Sequence, residues 1–309
     1  MNLLETKHIV KKYAEHTALN DVSIAVPEGV IYGMLGPNGA GKTSLIRIIN
    51  QITGPDSGEV LFAGERLQQK HIPQIGYLPE ERGLYKKMKV GEQLLYLAQL
   101  KGLSKNDAME KLKEWFIKFD IKPWWNKTID DLSKGMAQKI QFVATVMHEP
   151  KLIILDEPFT GFDPINANLI KDEILELRKK GSTIIFSTHR MESVEELCDH
   201  IALINKSRKV LDGSKKEIKE QFKTNTFSVA SIGAIQTLPE QFQFISSVQK
   251  EDNEFISQIK INQGSVNSLM QELINHNQIK SLIENIPSMN DIFIKVVGDD
   301  QVNYDTIQK

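Results

Sequence analysis

Apolar and polar positions alternate through residues 19–26, where Val22, Ile24 and Val26 share one face, and residues 3–10 read as a second strand beside them. Residues 30–35, Val-Ile-Tyr-Gly-Met-Leu, form an unbroken apolar run of the buried-strand type. The period then lengthens, and Leu45, Ile46, Ile48, Ile49 and Ile52 fall at helical spacing. Gly54-Pro55-Asp56-Ser57-Gly58 is a strong turn signal, and short strands follow around residues 60–62 and 75–78. Helical patterns cover residues 90–100 and 105–119, with Trp115, Trp124 and Trp125 nearby as candidates for a core between helices. Ser133 is placed to cap a further helix whose apolar face is Ile140, Val143, Ala144 and Met147, with Pro150 just past its end. A core strand over 151–156, an amphipathic helix over 166–180 and a strand over 183–187 follow. The last strand of this series is 201–204, and Gly213 closes the region. Strands that alternate with helices in this way predict an α/β fold.

From about Phe222 the composition changes: Asn, Gln and Ser rise and Gly becomes rare. Residues 255–261 alternate like a half-exposed strand, and 265–275 and 288–297 carry helical patterns. Phe227, Val229, Phe255, Ile259 and Ile261 on strands, with Leu269, Leu273, Ile274, Ile292, Phe293 and Val296 on helices, suffice for a small core. The expected division is therefore a main domain over 1–221 and an appended α+β module over 222–309.

At 309 residues and 40% hydrophobic content the chain has room for about two domains, each with a core. A formal net charge of −2 argues against a general nucleic-acid binder. The single cysteine, Cys198, rules out an intramolecular disulfide and fits a reducing compartment. No stretch approaches the ~20 apolar residues that span a bilayer, and the first residues lack a signal-peptide layout. The chain by itself is expected to be soluble.

The candidate chemistry centres on Gly36-Pro37-Asn38-Gly39-Ala40-Gly41-Lys42-Thr43-Ser44, between the strand at 30–35 and the helix after it. It fits G-x-x-x-x-G-K-[ST], in which glycines let the backbone wrap a triphosphate and a helix N-terminus presents N–H groups to it. Lys42 is then expected at the β- and γ-phosphates and Thr43 at a Mg²⁺. Asp156 and Glu157 end a core strand, and acids at such an end sit where open α/β sheets bind ligands. His189 follows the strand at 183–187 directly, while His200 has no comparable context. Tyr13 serves equally well, from its residue type alone, as strand packing or as a platform for a base.

These motifs are in register with a family. Residues 1–220 resemble the ATP-binding cassette of ABC transporters: the phosphate loop at 36–43, Leu132-Ser133-Lys134-Gly135-Met136 at the place of the L-S-G-G-Q signature, the strand ending in Asp156-Glu157, Thr160-Gly161-Phe162-Asp163 at the D-loop, and His189 at the switch histidine. Two departures stand out. Glu80 replaces the glutamine of the Q-loop and adds negative charge near the γ-phosphate, and Lys134 and Met136 alter the signature.

The resemblance implies a mixed central sheet, an antiparallel β subdomain and a helical signature subdomain at about 89–150. It implies ATP and Mg²⁺, with Thr43, Asp156 and Glu80 as metal ligands and Tyr13 stacked on adenine. Glu157 would be the base, with His189 and Lys42 completing the catalytic set. Ser133, Gly135 and Asp163 would meet a nucleotide bound by a second cassette, most simply in a homodimer. It further implies a separate integral membrane permease as partner, with this chain peripheral at the cytoplasmic face of the cell membrane and no nucleic-acid partner. The run Tyr-Leu-Pro-Glu-Glu-Arg-Gly-Leu-Tyr at 77–85 and the appended module resemble a branch of bacterial exporters of sodium, drugs or peptides. The rival expectation is a soluble ABC ATPase that acts on ribosomes or nucleic acid.

Overall fold

The computed structural model describes residues 1–81 and 83–307, with side chains to residue 298; Arg82 of the 77–85 run lies outside the described residues. The chain divides into two compact units, Met1–Lys215 and Lys216–Lys309. The composition shift near residue 222 comes six residues later, because composition does not register contacts.

The first unit opens with a long hairpin, β1 (Asn2–Tyr13) and β2 (His16–Pro27). Strand β3 (Ile31–Leu35) runs into the phosphate-loop sequence and then helix α1 (Lys42–Ile49). Strands β4 (Ser57–Phe62) and β5 (Glu65–Arg66) join the hairpin in an antiparallel sheet of order β2-β1-β4-β5. After β6 (Ile75–Leu78) come three helices, α2 (Val90–Leu100), α3 (Lys105–Lys118) and α4 (Lys134–Val146). The chain then returns through β7 (Leu152–Asp156), α5 (Pro164–Lys179), β8 (Thr183–Thr188), α6 (Met191–Leu197), β9 (His200–Asn205) and β10 (Arg208–Ser214).

The second sheet has the order β10-β9-β3-β8-β7-β6. It is parallel from β9 to β6, and β10 pairs antiparallel with β9. Every residue of β3, β7 and β8 is buried. This is why their sequences are continuous apolar runs rather than alternations, as a sheet covered on both faces requires. The fold is thus α/β with a mixed central sheet, an antiparallel sheet and a helical segment, as expected.

Several local expectations change. Ile52 is 61% exposed, because α1 ends before it. Gln51 takes φ +55°, Gln51 N–H donates to Ile48 O (3.0 Å) and Ile52 N–H donates to Arg47 O (2.9 Å), so the helix closes in a Schellman-type cap. The three tryptophans are half-buried rather than core. Trp125 instead seals α2, since a Cβ on Gly91 would meet its ring at 2.3 Å. Gly213 lies inside β10 and does not close the region.

The second unit begins with α7 (Lys215–Gln221), whose first residue belongs to the unit before it. Strands β11 (Thr226–Ile232), β12 (Phe242–Gln249), β13 (Glu254–Ile261) and β14 (Gln278–Glu284) form an antiparallel sheet of order β12-β13-β11-β14. Helix α8 (Val266–His276) precedes β14, and α9 (Met289–Ile307) ends the described chain. Phe227, Val229, Ile259, Ile261, Leu269 and Leu273 share one core, while Ile274 is 62% exposed on the far side of α8.

Candidate active site

The phosphate-loop sequence joins the carboxyl end of β3 to the amino end of α1 and is fixed by two close approaches. A Cβ on Gly36 would stand 2.1 Å from Ile204 O, and one on Gly41 would stand 2.3 Å from Ala18 O. Both glycines also take positive φ, +148° and +114°, so only glycine fits either position without strain. These contacts seat the loop backbone against Ile204 and Ala18 and hold it in one conformation.

Lys42 opens α1 and is buried, with Nζ donating to Gly36 O (2.7 Å) and Pro37 O (3.0 Å). Burial lowers its pKa, and Glu157, Asp156 and Glu80 push it back up. Beside it, Thr43 Oγ1 donates to Asp156 Oδ2 at 3.2 Å. Asp156 is the last residue of β7 and only 2% exposed. The Ser187 hydroxyl donates to its other oxygen, from the register position opposite on β8. Burial raises the Asp156 pKa against both hydrogen bonds. Burial, with Asp156 as a lesser cause, pushes the Tyr77 phenol up to about 12.

Glu157 takes φ +49°, a left-handed conformation that disfavours a residue with a Cβ by roughly 1–2 kcal/mol. The turn turns its carboxylate toward the end of β8. Oε1 accepts the His189 backbone N–H (3.1 Å) and lies 2.7 Å from His189 Nδ1, while Oε2 accepts the Thr188 hydroxyl (3.3 Å). A carboxylate only accepts, so this geometry places a proton on Nδ1. Strain of this kind at a chain reversal is a mark of functional positions.

A cleft of about 470 Å³ gathers Tyr13, Asn38, Gly39, Gly41, Lys42, Thr43, Ser44, Glu80, Asp156, Glu157 and His189. Gly36, Pro37 and Ala40 belong to the loop but are not among the residues that line the cleft. Tyr13 is 42% exposed at the hairpin end, with Lys11 Nζ 5.4 Å from its ring centroid. Among the described residues no group of three or more His, Cys, Asp or Glu can hold a metal. The donor set is a hydroxyl and a carboxylate, which suits Mg²⁺ when phosphate and water supply the remaining ligands.

Three expected site residues lie elsewhere. Ser133 caps α4, its Oγ accepting the Met136 N–H (3.3 Å), and is exposed. Space beside Gly135 is open. Asp163 caps α5, accepting the N–H groups of Ile165 and Asn166 at 3.0 Å each, and those bonds lower its pKa. Lys134 lies across Gly161, and the Gln138 amide donates to Thr160 O, so the start of α4 touches the D-loop sequence of the same chain.

Sequence reasoning missed His16, Ala18, Ser187 and Thr188. His16 and Ala18 line the cleft, and His16 pairs directly with Tyr13 across the hairpin. The Ser187-Thr188 pair preceding His189 was the available signal for the other two.

A family model described as ABC transporter matches residues 19–160, and one described as the C-terminal domain of DrrA1-3-like ATP-binding proteins matches residues 213–297. The chain is 38% identical over 300 residues to the uncharacterized ABC transporter ATP-binding protein YhaQ of Bacillus subtilis (strain 168), covering 96% of this chain and 99% of that one. It is 30% identical over 236 residues to the linearmycin resistance ATP-binding protein LnrL of the same organism, covering 75% and 76%. A solved structure titled ATP binding subunit of ABC transporter superposes with a TM-score of 0.67 at 31% identity, covering 71% of this chain and 93% of that one.

Proposed function

The chain belongs to the ATP-binding proteins of ABC transporters, a family of ATPases coupled to transport, and from that premise we propose that it powers export through a separate membrane permease. The observation that carries the reading is the convergence of Lys42, Thr43, Asp156, Glu157 and His189 on one cleft beside the phosphate loop. A relative named for linearmycin resistance supports export of a drug-like molecule over the ribosomal or nucleic-acid alternative, which no observation favours. No helix of the described residues is long and apolar enough to cross a membrane; in this reading, which rests on the family, the permease is another chain and this one sits at the membrane's cytoplasmic face.

ATP would lie along the cleft with its phosphates in the glycine loop and its base against Tyr13. Lys42 would turn from its loop carbonyls to the β- and γ-phosphates. Thr43 and Asp156 would hold Mg²⁺, with Glu80 close enough to share the role; when bound, the ion neutralises phosphate charge. Glu157 would take the proton of the water that attacks the γ-phosphorus as the bond to ADP breaks. His189, through its ring and its backbone N–H, holds that carboxylate in place. Hydrolysis of this kind is positioning and electrostatics rather than covalent chemistry by the protein.

Ser133, Gly135 and Asp163 stand apart from the cleft, which supports a head-to-tail pair of cassettes in which each signature helix faces the other's nucleotide. The permease is assigned to a second cleft of about 590 Å³, whose walls include Ile52, Ile72, Pro73, Leu84, Leu97 and Leu100. Tyr77 and Pro79 also line it, immediately before Glu80 of the nucleotide cleft, so the two clefts share one segment.

The test is Glu157→Gln. Turnover is expected to fall about 10²–10⁴-fold, the usual worth of a general base, while Mg-ATP binding persists and, in the same variant ended after Gln221, light scattering reports an ATP-dependent dimer. Hydrolysis at the wild-type rate would overturn the assignment.

A further inference from the structure

The two edges of the second unit's sheet differ. Strand β14 carries Lys280, paired to Glu254 at 2.5 Å, and Glu284, paired to Lys223 at 3.3 Å. Strand β12, at the other edge, reads Phe-Gln-Phe-Ile-Ser-Ser-Val-Gln, with no charge and no proline in eight residues. All of it except Phe242 is exposed, and Phe244, Ile245 and Val248 are exposed by 45, 51 and 57%. Natural sheets shield an open edge with charges, proline, a bulge or a covering element, because its free N–H and C=O groups are a template for another strand. Among the described residues the one such device is a register irregularity between Phe244 and Ser246, and it presents Ile245 rather than a charge.

We propose that β12 pairs antiparallel with β12 of a second copy of this chain, joining two C-terminal modules without nucleotide. An uncharged strand is complementary to itself: two copies meet across a two-fold axis with no like charges opposed. The consequence, which rests on the two-cassette ATPase, is that paired modules hold two cassettes at an effective concentration of up to about millimolar. Nucleotide then closes a pair already assembled, and turnover depends less steeply on protein concentration.

Sedimentation of the full chain without nucleotide is expected to show a dimer. Ile245→Lys with Val248→Lys places four ammonium groups at the contact and raises the dissociation constant about 100-fold or more, with circular dichroism unchanged. Single substitutions Ile245→Cys, Ser246→Cys and Ser247→Cys read the contact independently of that variant's folding. At least one should give a disulfide-linked dimer under mild oxidant, and Ile283→Cys on β14 should not. Native Cys198 is 2% exposed and does not compete.

A wild-type chain that stays monomeric at about 100 μM, a dimer unaffected by the lysines, or no crosslink at any of the three positions would overturn the proposal. So would a monomeric chain whose lysine variant loses its permease, because the edge then belongs to that partner. In the Glu157→Gln chain the ATP-dependent dimer should still form with the lysines present. If that dimer fails while β12 still crosslinks, the fault lies with the ATPase reading and not with the strand contact.

Discussion

In the first unit two charged side chains, Lys42 and Asp156, are buried where a parallel sheet meets a helix N-terminus. In the second, the buried polar side chains among the described residues are the hydroxyls of Ser231 and Ser257. Ser231 donates to Gly233 O at 2.9 Å, and Ser257 shares a hydrogen bond with Ser247 at 3.0 Å. A hydroxyl is buried cheaply once bonded, whereas a buried charge keeps a penalty that packing must offset. The first unit therefore maintains an arrangement that folding alone would not select, and perturbed groups in a cleft are a physical mark of chemistry. The second unit buries no charged side chain among its described residues. What it exposes is an unshielded strand, which points to association.

The comparison breaks most sharply at Lys42. Lys42→Ala removes the buried cation and should weaken ATP binding by calorimetry about 100-fold, the scale of a charged hydrogen bond, with a matching loss of hydrolysis. The second unit should be unaffected, with unchanged hydrogen exchange in β11 and β13. Unaltered ATP affinity would contradict the reading of the loop.

Asp156→Asn tests whether the buried charge is held at the expense of stability. Because burial raises the folded-state pKa above the unfolded one, the penalty is absent below the unfolded value of about 3.9, grows as pH rises past it, and is complete once pH exceeds the folded value. Asparagine keeps an acceptor for Ser187 and can donate to Thr43. The variant should lose Mg-dependent hydrolysis, yet unfold a few degrees higher at pH 7, about 1 kcal/mol of relief. The gain should shrink toward pH 4. An unfolding temperature below wild type at pH 7 would show that the charge is structurally required.

A chain ended after Gln221 asks the reverse question. Every residue of the nucleotide cleft lies in the first unit, so the shortened protein should fold and hydrolyse ATP within a few-fold of full length. If it binds ATP and hydrolyses none, the second unit completes the active site and the contrast between the units fails.

The smallest effect is expected for Glu80→Gln. Glu80 is exposed at the rim of the cleft, and an amide oxygen reaches Mg²⁺ directly or through water. Basal ATPase should stay within a few-fold, with any larger change confined to stimulation by the permease. Complete loss of Mg-dependent turnover would make Glu80 an essential metal carboxylate.

Much of the first unit was legible because its signals are local. A buried parallel strand must be apolar along its whole length, so β3, β7 and β8 announced themselves, as did the glycine loop between β3 and α1. The tail of α1 was misread at Ile52, because helical spacing continues past a cap that Gln51 closes through its backbone. Strands β10, β12 and β14 escaped notice because neither face of them is regularly buried, Phe242 being their one buried residue, so no apolar period marks them.

Most residues of the candidate cleft were nameable from short motifs, since a glycine loop, an Asp-Glu pair and a histidine after a core strand are contiguous patterns, but His16 and Ala18 belong to no such motif. Their meeting was not nameable that way. Thr43 and Asp156 are 113 residues apart, and Ser187 and Asp156 are 31 apart. They touch because the sheet runs β3-β8-β7, an order that differs from the order of the chain. The partnership of Ser187 with Asp156, the place of His16 beside Tyr13 and the bare edge of β12 likewise depend on register and strand order. Those are settled only when whole faces pack, since a side-chain pattern fixes which face is buried but not which strand lies next to it.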